Sequence, residues 1–357
     1  MRLILERRSE TPMALAIASP LIAIALTIVS AVVVFIALGQ NPAHALYVYF
    51  LMPLSDAWGL QEVAVKATPL VLIAVGLALC YQANVWNIGA EGQFLVGAMT
   101  GTWVAVVTHG TPNGMWVLPA MMVCGALGGA AYAMLPAGLK TRFGANEILT
   151  SLMLVYVAEL LMDWLVRGPW RDPHGFNMPQ TVVFEPEATV PLLMEGGRLN
   201  AGTPITLVVV ALIAFMMART LKGFEIRLVG EAPKAARFGG FDANRLTWVV
   251  FAISGALAGL AGIIEAAGTV KQLQPNISPG YGFTAIIVAF LGRLNPVGCL
   301  LAGVFLAITF IGGENAQIML KLPLDVTRVF QGLLLFYMLA CDTLLLYRIQ
   351  LVRGAAA

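Results

Sequence analysis

Charge is what this 357-residue chain has least of: 11% of its residues are Asp, Glu, Lys or Arg. Soluble domains carry roughly 25%. So few charges cannot cover a water-facing surface, which excludes a soluble globular enzyme and a disordered protein. Cysteine is equally sparse. Cys80, Cys124, Cys299 and Cys341 lie scattered in apolar runs, with neither metal-ligand spacing nor a disulfide framework, so a secreted disulfide scaffold is excluded too. The only histidines are His44, His109 and His174, all in predicted loops or helix ends. No His-Glu-x-x-His, Walker-type Gly-x-x-x-x-Gly-Lys-Ser/Thr or Gly-x-Ser-x-Gly pattern occurs. The chain has no recognisable means of hydrolysing ATP and reads as a non-enzyme, with no catalytic residue, metal or cofactor of its own. A net charge of +2 offers nucleic acid no bulk attraction.

What the chain has in excess is apolar residues, 59% of the total, with a mean hydropathy of +0.84. A helix needs about 20 of them to cross the hydrocarbon core. The run Ala14–Leu38 carries no charge, and it is longer than the h-region of a signal peptide, which runs to about 15 residues. Further spans are predicted at Glu62–Tyr81, Gln93–Thr108, Met115–Pro136, Glu147–Val166, Pro204–Ala218, Thr247–Ala267, Phe283–Leu291, Pro296–Gly313 and Val326–Tyr347. The pattern predicts an all-α polytopic membrane protein of about 10 transmembrane helices, one domain over residues 1–357. Phe283–Leu291 is too short to cross alone and suggests a broken or re-entrant element. His44–Leu54 suggests a helix lying at the interface.

Alternating the spans from a cytoplasmic N-terminus puts 14 of the 21 basic residues inside, Arg8 and Arg353 among them, and both termini in the cytoplasm. Two loops then stand out. Residues 167–203, rich in Pro and Gly with Glu185, Glu187 and Glu195, lie outside. Residues 220–246 lie inside and are basic. Pro233 suits the first turn of a short helix there and Gly239-Gly240 its end.

Two echoes hint at an internal pseudo-repeat. Gly125-Ala126-Leu127-Gly128-Gly129-Ala130-Ala131 matches Gly255-Ala256-Leu257-Ala258-Gly259-Leu260-Ala261 at five of seven positions. Each contains the Gly-x-x-x-Gly face that lets helix backbones approach closely. Plain helix packing and a duplicated transporter half both account for it. Asn87–Gly92 and Ser278–Phe283 are each a Gly-containing break opening a hydrophobic run. Unwound backbone survives in a membrane only where protein buries it or water fills a cavity, so such breaks point to a solute path. Glu91 follows the first break, where its carboxylate can accept hydrogen bonds from exposed amides. Trp86, Phe94, Tyr281 and Phe283 flank the two breaks, where packing and stacking on a solute are both open roles. Glu159, Asp163, Glu265 and Asp342 are charges within or near the ends of spans, where ionisable groups usually face the bundle interior or reach the headgroups.

Four motifs carry a resemblance. Asn84-Val85-Trp86-Asn87-Ile88-Gly89-Ala90-Glu91-Gly92-Gln93, Asn146–Leu154, Ser254–Gly262 and Gly292–Gly298 occur in an order similar to that of bacterial ABC-importer permeases for simple sugars and nucleosides, of which branched-chain amino-acid permeases are more distant relatives. The resemblance implies a pore-forming permease subunit of the bacterial inner membrane that works by alternating access, with nucleosides fitting best and simple sugars next. It implies a cytoplasmic ABC ATPase carrying ATP and Mg, a second permease (paralogue or copy), an external solute-binding protein, and a bilayer around them. Gly230–Gly240 resembles a coupling helix, with Glu231, Ala232, Ala235, Ala236, Arg237 and Gly239 as the docking positions. Trp86, Asn87, Glu91, Phe94, Tyr281 and Phe283 are the expected solute-path residues. The competing reading is an ATP-independent carrier or channel.

Overall fold

All ten predicted spans form helices in the computed structural model, which describes residues 2–7, 13–111, 114–194, 196–323 and 325–352. The helices are α1 (Met13–Ala37), α2 (Pro42–Leu46), α3 (Ala57–Gln82), α4 (Ala90–Thr108), α5 (Val117–Phe143), α6 (Glu147–Arg167), α7 (Gly202–Arg219), α8 (Leu221–Glu231), α9 (Pro233–Phe238), α10 (Ala243–Ile264), α11 (Tyr281–Leu291), α12 (Pro296–Leu320) and α13 (Asp325–Leu346). Among the described residues seven, taken from α1, α3, α5, α6, α7, α10 with its following turn, and α12, are long and apolar enough to cross a membrane. The predicted interfacial segment is α2 continued by a π turn, Tyr47–Leu51, and a 3-10 turn, Met52–Leu54. Not expected from the sequence were α8, which precedes the short helix foreseen in the basic loop, and an antiparallel ribbon. β1 (Arg2–Arg7) pairs with β2 (Tyr347–Val352), Arg2 opposite Val352 and Arg7 opposite Tyr347. Tyr347, expected to end the last span, opens this strand instead. Arg8, Glu195 and Arg353, and the side chain of Asp342, lie outside the described residues.

The chain forms two compact units. The larger, Leu54–Ile308, has α3 as its centre. Asp56 caps α3 by accepting the Gly59 N–H at 2.8 Å, and 89% of its apolar window is buried. Windows in α5, α6 and α7 are only 22–28% buried, so these helices turn much of their surface outward to lipid or to another subunit. The two Gly-x-x-x-Gly echoes prove to be the two faces of a single interface. A Cβ on Gly129 would fall on the Gly255 carbonyl and 2.7 Å from the Gly259 Cα, and a Cβ on Gly97 of α4 would strike the Gly259 backbone as well. α4, α5 and α10 thus meet backbone to backbone, as small-residue faces allow in a membrane.

The loop 167–203 is tied down rather than free. Thr181 N–H donates to the Leu273 carbonyl at 3.0 Å while Leu273 N–H donates to Thr181 Oγ1 at 2.9 Å. Val190 N–H donates to Ala267 O at 3.0 Å, and Arg198 pairs with Glu62 at 3.0 Å. Glu185 accepts the Gly110 N–H at 3.0 Å.

The smaller unit, Met1–Pro53 with Thr309–Ala357, packs α1 against α13 and the end of α12. Its core is a ring cluster. Phe330 meets Phe35 edge-on at 5.4 Å and Tyr49 at 5.5 Å. Tyr49, expected at an interface, is buried in this cluster.

Candidate functional site

The first break is closed by a knot of polar side chains. α3 ends at Gln82, and Asn84 takes a left-handed φ of 56° that turns the chain out of the helix. Asn87 then lies fully buried. Its Nδ2 donates to Gln93 Oε1 at 2.9 Å and to Ser254 Oγ at 3.1 Å. Its Oδ1 accepts from Gln93 Nε2 at 3.0 Å and from the Gly89 N–H at 3.1 Å. The Gly89 donor fixes which end of the Asn87 amide points where, because an N–H must face an oxygen. Tyr81 OH donates to the Asn87 carbonyl at 3.1 Å, and Ile88 N–H donates to Ser151 Oγ at 3.2 Å. Non-helical backbone inside a membrane protein must find its partners within the protein, and here three of the four sequence motifs supply them: Asn87 with Gln93, Ser151, and Ser254.

The second break docks onto the first. Gly280 adopts φ 101°, and Ser278 Oγ accepts the N–H groups of Gly280 at 3.1 Å and Tyr281 at 3.0 Å. The next free donor at the start of α11, the Gly282 N–H, is taken by Glu91 Oε2 at 2.5 Å. A Cβ on Gly282 would fall on the Glu91 backbone, so only glycine allows the approach. Glu91 therefore caps α11 from a different helix, its carboxyl oxygen satisfying one of the unpaired N–H groups at the helix start. The expectation that Glu91 binds exposed amides holds, with the donor coming from the other break.

Beside this clamp, Tyr281 packs its ring against Phe94 at 5.8 Å, and its hydroxyl donates to Glu265 Oε1 at 3.3 Å. Glu265 opens a π turn, Glu265–Val270, and also accepts from Thr269 Oγ1 at 3.2 Å. It is buried by these contacts. Asp163 instead forms an i,i+4 pair with Arg167 at 2.7 Å, partly exposed.

Of the six expected solute-path residues, Asn87, Glu91, Phe94 and Tyr281 are enclosed within the chain, whereas Trp86 and Phe283 are 37% and 39% exposed. Trp86 stacks on Phe290 at 6.2 Å and lies tilted by 36° against Tyr81, whose ring is parallel to that of Phe290 to within 15° at 5.3 Å. The four enclosed residues set the shape of the two breaks in this conformation, while Trp86 and Phe283 present surface.

The basic loop forms α8 and α9. Thr220 caps α8 by accepting the Gly223 N–H, and Pro233 opens α9 as predicted. Ala236 is buried; Glu231, Ala235, Arg237 and Gly239 are exposed, and Ala232 is half-buried. A groove of about 700 Å³ runs beside α9, lined by Pro233, Arg237, Phe241, Asp242 and Asn244 among others. Phe238 at the end of α9 is 99% exposed. Reasoning from small residues passed over it, although an aromatic ahead of Gly239-Gly240 in a solvent-facing loop was a readable sign. Gln82 was passed over as well. A Cβ on Gly230 of α8 would land on the Gln82 carbonyl, and Gln82 Nε2 donates to the Leu294 carbonyl at 2.5 Å. Leu294 lies in the fourth motif, where Arg293 and Leu294 both take left-handed φ, 55° and 56°. The basic loop meets the backbone of Gln82 and the end of α11 meets its side chain, so both converge on this one residue at the end of α3. No group of His, Cys, Asp and Glu able to hold a metal occurs among the described residues.

The model of a permease component of the branched-chain amino acid transport system matches residues 59–339. A glucose ABC transporter permease of Haloferax volcanii is 36% identical, over 97% of this chain and 93% of its own. A guanosine ABC transporter permease of Bacillus subtilis is 27% identical over 94% and 95%. A nucleoside ABC transporter permease of Lactococcus lactis is 26% identical over 89% of each.

Proposed function

Because the chain belongs to the branched-chain amino acid transport permease family, and is the membrane permease subunit of an ATP-binding-cassette importer rather than an enzyme, we propose that its cargo is an uncharged polar solute, a nucleoside or a simple sugar. The observation that carries the cargo class is the Glu91 cap. A half-helix N-terminus inside a membrane is a natural site for an anionic solute group. At α11 that site is filled by the chain's own carboxylate. The names of the similar permeases, glucose, guanosine and nucleoside, point the same way.

In this reading both termini and the basic loop face the cytoplasm of a bacterial cell, and the protein sits in its inner membrane. α9 docks on the ATPase that binds ATP and Mg, with Ala235, Arg237, Phe238 and Gly239 at the contact and Glu231, Ala232 and Ala236 supporting it. A second permease completes the pore, and the loop 167–203 meets an external solute-binding protein. ATP binding draws the docked loops together and opens the opposite side. Pumping requires that the two states differ in their affinity for the solute. The test is uptake of tritiated uridine, guanosine and glucose by the complete transporter in proteoliposomes. ATP-dependent accumulation of one of them, competed by its unlabelled form, is expected. Accumulation only of charged amino acids refutes the cargo class. Ala235→Trp, at an exposed position, should abolish uptake by breaking docking, and unaltered ATP-dependent uptake in that variant refutes the docking assignment.

A further inference from the structure

α6 carries a carboxyl side chain at its middle that the chain leaves uncovered. Its packed face is the stripe Ser151, Val155, Ala158, Met162 and Val166, all buried. That face lies on the first break, where Ser151 accepts the Ile88 N–H and Val155 Cα sits 3.0 Å from a Cβ built on Gly92. Glu159 falls at the border of this stripe and is exposed, with no hydrogen bond or ion pair among the described residues. It is the thirteenth of 21 residues in the helix. It therefore sits about 18 Å along a span of about 31 Å, at 1.5 Å per residue. The nearer end of α6, at Arg167, is about 12 Å away, beyond the reach of a glutamate side chain. Snorkelling, the usual escape for long side chains near helix ends, is closed to it.

A carboxylate facing hydrocarbon at that depth is costly, and such groups face the bundle interior or a water-filled cavity. The chain does not bury Glu159, so the cavity must be completed from outside the chain. One further observation bears on what it faces. Tyr156, one turn before it on the same side of α6, is 55% exposed and offers an aromatic face. We propose that Tyr156 and Glu159 line a water-filled path closed by a second permease subunit, with the Glu159 carboxylate accepting hydrogen bonds from hydroxyl or N–H groups of an uncharged solute. The Glu159 carboxyl oxygens offer acceptors, which suits a polyhydroxyl cargo such as a sugar or a ribose. This inference rests on the importer reading above and assigns solute contact to a residue outside both breaks.

The test uses the complete transporter in its membrane. Glu159→Cys is compared with Leu160→Cys, which is 72% exposed and about 100° further round the helix. A charged, membrane-impermeant methanethiosulfonate reads water access, corrected for labelling of the parent. Glu159→Cys should react at least tenfold faster than Leu160→Cys. Equal slow rates would place Glu159 against lipid or packed protein and overturn the proposal. In uptake assays with tritiated uridine and glucose, Glu159→Leu should raise KM at least fivefold and Glu159→Gln, which keeps an acceptor, less. A wild-type KM in Glu159→Leu also overturns the solute contact. A wild-type complex that carries neither probe defeats the cargo assignment, and the labelling comparison still decides whether Glu159 faces water.

Discussion

Asn87 is the residue whose loss should cost the fold of the first break most. Its amide makes two donations and two acceptances, and it is fully buried. Truncation to alanine leaves Gln93 with neither of its two Asn87 bonds and orphans the Gly89 N–H. Ser254 loses a donor but can turn its hydroxyl elsewhere. Each buried group left without a partner costs about 1–3 kcal/mol. Groups in one network do not add independently, so about 3–5 kcal/mol is expected for Asn87→Ala. Gln93→Ala should cost about 2–3 kcal/mol by the same reasoning, since it frees only the partners that face it. Once Gln93 is gone, removing Asn87 no longer strands it, so the double variant should cost about 1.5–3 kcal/mol less than the sum. The assay is reversible unfolding of the purified chain in mixed micelles by titration with a denaturing detergent, run as a double-mutant cycle. Purely additive losses, or an Asn87→Ala variant within about 0.5 kcal/mol of the parent, would show that the amide pair does not hold the break.

Three other outcomes follow from the geometry. Glu91→Ala removes the acceptor of the Gly282 N–H and should destabilise by about 1–3 kcal/mol, the cost of leaving a buried donor unpaired, while Glu91→Gln, which keeps an oxygen there, should lose clearly less in the same titration. Gly259→Val pushes a branched side chain into the backbones of Gly125 and Gly129; overpacking of this kind costs about 1–3 kcal/mol where a site can relax. At this rigid junction, loss of assembled protein on size-exclusion chromatography is the expected result, and wild-type recovery would refute the close approach. Gln82→Met keeps the bulk of the side chain but removes the donor to Leu294, and Gly230→Ala forces α8 off the Gln82 carbonyl. Both should lower solute uptake per ATP hydrolysed by the complete transporter at least threefold, whereas a parallel fall in uptake and hydrolysis would mean that Gln82 only supports folding.

Element existence was legible because it depends on local patterns. Every apolar run became a helix, and Pro233 and the Gly239-Gly240 pair marked the ends of α9, since each acts through its own backbone torsions and hydrogen-bonding capacity. The terminal ribbon was not legible. Its strands are separated by nearly the whole chain, and pairing over that distance leaves no periodic trace in either segment. The charges show the same division. Asp163 could be read as an end-of-span residue because it lies about a turn from a boundary, and in the structure it pairs with Arg167 there. Glu265 looked similar from its place near a span end, yet it is buried against Tyr281 and Thr269, partners set by the π turn and the second break.

The site was legible as a set of residues and illegible as an arrangement. The two breaks were found from glycines in hydrophobic runs, a one-dimensional signal. That Glu91 of one caps the helix that begins the other is a long-range fact, fixed by how closely Gly282 allows two backbones to approach. If each break were satisfied by its own side chains, the two could open separately. Because one buried carboxyl group serves the amide of the other break, separating α11 from α4 would strand an acceptor and a donor unless other groups replaced them. The clamp therefore favours the closed arrangement of the two breaks for as long as nothing else supplies the lost partners.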